Sequence, residues 1–110
     1  MKFAIPMAEG KLTAHFGHCR EFAIINVENN EIKEKSVVVP PPHEPGVLPQ
    51  WLHDLGANVV IAGGMGNRAV QLFNQVGIKV LTGAPVEDPE VIVKNYLDDT
   101  LTIGDNACDH

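Results

Sequence analysis

The run Asn58-Val59-Val60-Ile61-Ala62, followed at once by Gly63-Gly64-Met65-Gly66, constrains the fold more than any other feature of the chain. Consecutive apolar residues without alternation suit a strand buried on both faces, which is the situation of a strand inside a parallel sheet. The glycines permit a tight exit from that strand. Val70, Phe73 and Val76 then recur at helical spacing, up to a stop at Gly77. The alternation repeats: Ile78 to Leu81 reads as a strand, Thr82-Gly83-Ala84-Pro85 as its turn, and Asp88-Pro89-Glu90 as a helix N-cap with proline at the first helical position. The spacing predicts that the last helix carries Val91, Ile92, Tyr96 and Leu97 inward.

Upstream, the opening strand spans Lys2 to Met7 and is followed by a long loop covering residues 8 to 19. A second apolar run, Phe22 to Val27, meets Glu28-Asn29-Asn30-Glu31, where paired asparagines signal a hairpin. The third strand, Ile32 to Val39, carries Lys33 and Lys35, which suits an edge strand guarded against unwanted pairing. Pro40-Pro41-Pro42-His43-Glu44-Pro45-Gly46 is a rigid connector, because proline fixes the backbone and donates no hydrogen bond. Leu48, Trp51, Leu52 and Leu55 mark a short amphipathic helix ending at Gly56, with Pro49 tolerated in its first turn and His53 on its outward side. The order β-β-β-α-β-α-β-α predicts an α/β protein of three layers. The simplest arrangement is a mixed five-stranded sheet of order 3-2-1-4-5, with strand 2 antiparallel, which is a ribonuclease H-like fold.

At 110 residues the chain has room for one compact domain, 1–110, with residues 104–110 expected as a mobile Cys/His tail. A formal charge of −6, with eight basic residues scattered rather than clustered, counts against a nucleic-acid partner. The apolar opening is too short for a secretory signal, and no run approaches the ~20 residues that span a bilayer, so a cytoplasmic protein without a membrane partner is expected. The cysteines, Cys19 and Cys108, lie about 90 positions apart, which without a signal peptide argues for reduced thiols.

Chemistry concentrates in Ala14-His15-Phe16-Gly17-His18-Cys19, where two imidazoles and a thiol share one loop. These are the donors that borderline and soft metals prefer. Imidazole neighbours would also favour the Cys19 thiolate, whereas a free cysteine is otherwise commonly a buried, inert member of the core. Under the predicted topology this loop, the connector with His43, and the glycine turn all emerge at one edge of the sheet. A crevice opens between the first and fourth strands, where open α/β sheets bind ligands. The closing Cys108-Asp109-His110 starts from the opposite edge, but ten extended residues cover ~33 Å and could return it. The candidate metal ligands are therefore His15, His18, Cys19, His43, Cys108 and His110. Gly63-Gly64-Met65-Gly66-Asn67-Arg68 lacks the lysine and hydroxyl of a phosphate-binding loop and the spacing of a dinucleotide fingerprint. Gly64 and Gly66 instead allow close approach of a ligand, amides at the helix start can face anionic sulfide or oxo groups, and Arg68 can assist.

Val59-Val60-Ile61-Ala62-Gly63-Gly64-Met65-Gly66-Asn67-Arg68-Ala69, the strand leading to His15-Phe16-Gly17, and His43-Glu44-Pro45-Gly46 leading to Trp51-Leu52 together resemble the dinitrogenase iron-molybdenum cofactor biosynthesis family. That family includes NifX-like proteins, the carboxyl-terminal domain of NifB and the small orange proteins. The resemblance spans nearly the whole chain and implies a ribonuclease H-like fold that binds or carries an iron-molybdenum, molybdenum-copper or iron-sulfur cluster. It also implies that the position of His15 is the favoured ligand. Cys19 and the closing Cys-Asp-His depart from many relatives and suggest a subgroup with its own cargo.

The expected function is non-catalytic binding and delivery of a metal-sulfur cluster, as a carrier or chaperone between metallocluster donor and acceptor proteins. Transfer needs few ligands, so that the cargo can leave. The alternatives are a regulatory or protein-interaction module, or a thiol enzyme using Cys19 with His15 or His18. A two-metal nuclease is disfavoured, since Lys2 to Met7 and Val59 to Gly64 contain no Asp or Glu. The expected state is a monomer or a weak homodimer.

Overall fold

The computed structural model describes residues 1–13, 19–41, 47–99 and 101. Its elements are β1 (Lys2–Ala8), β2 (Lys11–Leu12), β3 (Glu21–Glu28), β4 (Glu31–Val38), α1 (Val47–Asp54), β5 (Val59–Ile61), α2 (Asn67–Gln75), β6 (Lys79–Leu81) and α3 (Pro89–Leu97). The sheet follows the path β4-β3-β1-β5-β6, with β2 paired to β1 off that path. β3 runs antiparallel to both β1 and β4, whereas β1, β5 and β6 are mutually parallel.

The sheet therefore has six strands where the sequence predicts five. The added strand comes from Glu9 (φ 57°) and Gly10 (φ 82°), which both occupy the left-handed region. Two such residues form the tight turn whose twist matches paired strands. Ala8 then faces Lys11, and Met7 faces Leu12. This hairpin consumes the first part of the loop expected over residues 8 to 19. Asn29 (φ 53°) and Asn30 (φ 62°) make the same kind of turn between β3 and β4, as the paired asparagines predict.

Strand alternation sorts the core onto two faces. Phe3, Ile5 and Met7 of β1 join Ala23, Ile25, Val27, Val59 and Ile61 beneath Ile92 and Val93 of α3. Ala4 joins Phe22, Ile24, Val60 and Ala62 beneath Leu48 and Leu52 of α1 and Phe73 of α2. Each face closes on an edge-to-face aromatic pair, Phe3 with Tyr96 at 5.3 Å between ring centroids and Phe22 with Trp51 at 5.6 Å. In α3 the inward stripe is Ile92, Val93, Tyr96 and Leu97, and Val91 is 41% exposed, contrary to the inward placement predicted for it. The apolar positions 92, 93, 96 and 97 pair off at four-residue steps on one side of the helix, and Val91 is one step off that stripe.

Both α1 and α2 end on a left-handed glycine, Gly56 (φ 87°) and Gly77 (φ 81°). The Ala57 amide donates to the Leu52 carbonyl and the Gly56 amide to that of His53, at 3.0 and 2.9 Å. Ile78 and Gly77 repeat the pattern onto Phe73 and Asn74. These paired bonds satisfy carbonyls that a helix end otherwise leaves open. Among the described residues no helix is long and apolar enough to cross a membrane.

Candidate functional site

The site is organised by the carboxyl end of β1. The Thr13 amide donates to the Pro6 carbonyl at 3.0 Å, and the Arg20 amide donates to the Met7 carbonyl at 2.8 Å. Successive carbonyls of a strand point to opposite edges, so these two bonds hold the chain on opposite sides of β1. The residues that flank them also enter different layers. Leu12 is fully buried in the core beneath α3, and Cys19 is 6% exposed in the core beneath α1 and α2. Leu12 and Cys19 thus lie on opposite faces of the sheet, and Thr13 and Arg20 on opposite sides of the carboxyl end of β1. His15 and His18 belong to residues 14–18, outside the described residues.

Next to β1 in the sheet, β5 leads into the glycine turn. Gly63, Gly64 and Met65 are buried, while Gly66, Asn67 and Arg68 are exposed. Gly66 is the N-cap residue of α2 and supplies no side-chain cap. Among the described residues, nothing would lie within 4 Å of a Cβ built on Gly66. The turn is nevertheless fixed at its base. The Ala62 amide donates to Leu81, the Ala84 amide to Ala62 and the Gly83 amide to Gly63, the last at 2.7 Å. The Leu12 amide donates to the Glu87 carbonyl at 3.0 Å, which fastens β2 to the segment just before α3. Backbone hydrogen bonds thus link the segments that follow β1, β5 and β6 into one platform at a single sheet edge.

Of the two readings of Cys19, a thiolate favoured by neighbouring imidazoles and a buried cysteine of the apolar core, the second matches its 6% exposure. Burial pushes its thiol up to about 11, against which a backbone hydrogen bond acts in the opposite direction. Its surroundings are the side chains of an apolar core, and among the described residues no polar or charged side chain is buried. A thiol there is protonated at neutral pH. Cys19 forms no disulfide among the described residues.

Of the other predicted site residues, Gly64, Gly66 and Arg68 lie at the glycine turn and the first turn of α2. His43 falls within residues 42–46, outside the described residues, between the end of β4 and the start of α1. Cys108 and His110 also fall outside them. The end of α3 sits beside the start of β1, because Tyr96 packs on Phe3. His53 is exposed on α1, with its Nδ1 at 3.7 Å from Asp54, as its outward position predicts. Among the described residues no group of three or more His, Cys, Asp or Glu is placed to hold a metal ion. The anchors Leu12, Thr13, Arg20 and Glu87 were not singled out by sequence. Their signal was Glu9-Gly10 between Met7 and Leu12, a two-residue turn between apolar positions that pair.

Residues 1–99 match the family described as dinitrogenase iron-molybdenum cofactor. An uncharacterized protein of Methanocaldococcus jannaschii is 35% identical over 85 residues, which cover 73% of this chain and 72% of that protein. The crystal structure of PH0822 is 34% identical, superposes with a TM-score of 0.86 and covers 94% of both chains. The apo form of the orange protein of Desulfovibrio gigas is 22% identical with a TM-score of 0.72, covering 96% of this chain and 93% of that one, and shares the fold. The match along residues 1–99, which takes in the strands and turns that build this platform, places the chain as a member of the dinitrogenase iron-molybdenum cofactor family.

Proposed function

We propose that this protein is a non-catalytic carrier that binds a preformed metal-sulfur cluster at the carboxyl edge of a ribonuclease H-like sheet and passes it from a donor to an acceptor protein. The observation that supports this reading is that backbone hydrogen bonds gather the segments following β1, β5 and β6, with the uncapped start of α2, at one sheet edge, and the chain order puts His15 and His18 between Thr13 and Arg20, both bonded to the carboxyl end of β1. Imidazole nitrogen is a ligand for iron and copper that is mostly neutral, and so ready to bind, at neutral pH, and a small ligand set releases cargo readily. His15 is the first ligand and His18 the second. His43, Cys108 and His110 are the side chains that would complete the set from neighbouring segments.

Sulfide and oxo groups make such a cluster anionic. The amides at the α2 start and the Arg68 guanidinium supply a positive field for it, and Gly64 and Gly66 keep side chains out of the approach. The cluster is cargo, and its metals are iron-molybdenum, molybdenum-copper or iron-sulfur.

The test is metal and acid-labile sulfide content, with the visible spectrum, of full-length protein reconstituted anaerobically with iron-sulfide and with molybdenum-copper-sulfide sources. Wild-type protein is expected to retain one of these clusters through gel filtration, and His15→Ala to lose most of it. Equal retention by His15→Ala, or none by the wild type, would overturn the carrier reading in favour of a protein-interaction module.

A further inference from the structure

We infer that β4 is a self-association surface: two copies of the chain pair their β4 strands antiparallel about Val37 and join their sheets into one. The inference stands apart from the carrier reading.

β4 ends the sheet order and, among the described residues, pairs with β3 alone. Its outer side is therefore a row of backbone N–H and carbonyl groups that another strand can take up. At eight residues it is as long as β3, whereas the opposite edge strand, β6, has three. A long edge usually carries charge against such pairing, and here the guard is confined to one half. Lys33 is held by Glu31 at 3.0 Å and Lys35 by Glu90 at 3.1 Å, and the bulge opposite Asn26 and Val27 lies in the same half. From Ser36 to Val39 no residue is charged.

That uncharged half also carries exposed apolar surface. Val37 is 46% exposed and Val39 76%. Val37 opposes Ala23 and Lys35 opposes Ile25, so both stand on the sheet face covered by α3. The Lys35–Glu90 ion pair joins this face to the first turn of α3, where Val91 is exposed as well. Exposed valines gathered at one corner mark an interaction surface rather than scattered exposure.

Charge selects the occupant and the register. In a two-fold pair of antiparallel strands opposed residues share a face, so one residue sits opposite its own copy. Centring on Lys35 sets lysine against lysine. Centring on Glu34 sets glutamate against glutamate and Lys33 against Lys35, and like charges directly opposed are destabilising. Centring on Val37 sets valine against valine, Lys35 against Val39 and Ser36 against Val38, with no like charges opposed. The strand is thus complementary to itself through its carboxyl half, which is where the valines are. Because the pairing is antiparallel, the carboxyl edges of the two sheets point in opposite directions, and each copy keeps its own platform.

The test is sedimentation equilibrium of purified full-length protein, with far-UV circular dichroism of each variant. Wild type is expected to dimerise reversibly in the micromolar range, and Val37→Lys to weaken association at least about tenfold with an unchanged dichroism spectrum. Val39→Lys serves the same purpose if Val37→Lys does not fold. In a Cys108→Ser background, Val37→Cys is expected to form a disulfide-linked dimer with oxidised glutathione. Directly opposed residues lie about 4.5–5.5 Å apart between Cα atoms, within the ~4.4–6.8 Å that a disulfide spans. Glu31→Cys in the same background, whose copies lie about 40 Å apart in this register, is expected not to link. A wild type that stays monomeric to millimolar concentration would overturn the inference and leave the edge to a strand of a different protein. So would association of folded Val37→Lys and Val39→Lys equal to that of wild type, or linking of Val37→Cys no faster than that of Glu31→Cys.

Discussion

Cys19 shows how far the behaviour of a residue depends on what surrounds it. In the sequence it follows His15 and His18, and in the structure it belongs to the apolar core that also holds Ala4, Phe22 and Met65. Burial raises its thiol from the ordinary 9.0 to about 11. Because the folded value is the higher one, the contribution of the thiol to stability is complete below about pH 9 and is lost as pH rises toward about 11. Metal-free wild-type protein is therefore expected to lose on the order of 2 kcal/mol more than Cys19→Val across that window, measured by urea unfolding at stepped pH. Parallel pH profiles for the two proteins would show that the thiol titrates as freely in the fold as in the unfolded chain. Slow alkylation by iodoacetamide at neutral pH belongs to the same expectation and would count against a thiol enzyme.

The elements differ in how local their causes are. α3 begins where Asp88-Pro89 says it should: Asp88 Oδ1 accepts from the Glu90 amide at 2.9 Å, and Pro89 occupies the first turn. Asp88→Ala is expected to cost about 1 kcal/mol by thermal or urea unfolding, with Asp88→Asn retaining most of the stability, and equal stability of all three proteins would refute the cap. The glycine stops at Gly56 and Gly77 and the asparagine turn at Asn29-Asn30 were equally legible, since each depends on backbone preferences of one or two residues. β2 was not. A two-residue strand has almost no pattern of its own, and Lys11–Leu12 is a strand only because Ala8 and Met7 are there to pair with it. The inward stripe of α3 was legible to within one residue, for Val91 and Val93 are both apolar and only the sheet beneath them selects Val93.

At the scale of the whole molecule, one sheet serves two cores. Ile25 lies on the face covered by α3 and Leu52 on the face covered by α1 and α2, yet both faces share the backbones of β1, β3 and β5. Loss of either core removes support from strands that the other needs. Ile25→Ala is expected to destabilise the protein by about 2–5 kcal/mol, a large part of the ~5–15 kcal/mol typical of a domain of this size. The sole tryptophan, Trp51, packs on Phe22 across the opposite face. Its fluorescence and the far-UV circular dichroism should nonetheless report one midpoint in wild type, and Ile25→Ala should shift both together. A fluorescence midpoint left unmoved by Ile25→Ala would mean that the two faces unfold independently.

By itself the sequence determined the α/β class, the succession of longer strands and helices, the turns that rest on glycine, asparagine and proline, and the donor-rich segment around His15. All of these follow from periodicity or from the conformational range of single residues, which neighbours along the chain are enough to specify. Only the tertiary structure decided that β2 exists, that Leu12 and Cys19 enter opposite cores, and that Cys19 is a buried thiol. Those outcomes depend on which strands lie side by side at the end of β1, and burial is a property of neighbours in space rather than of neighbours in sequence.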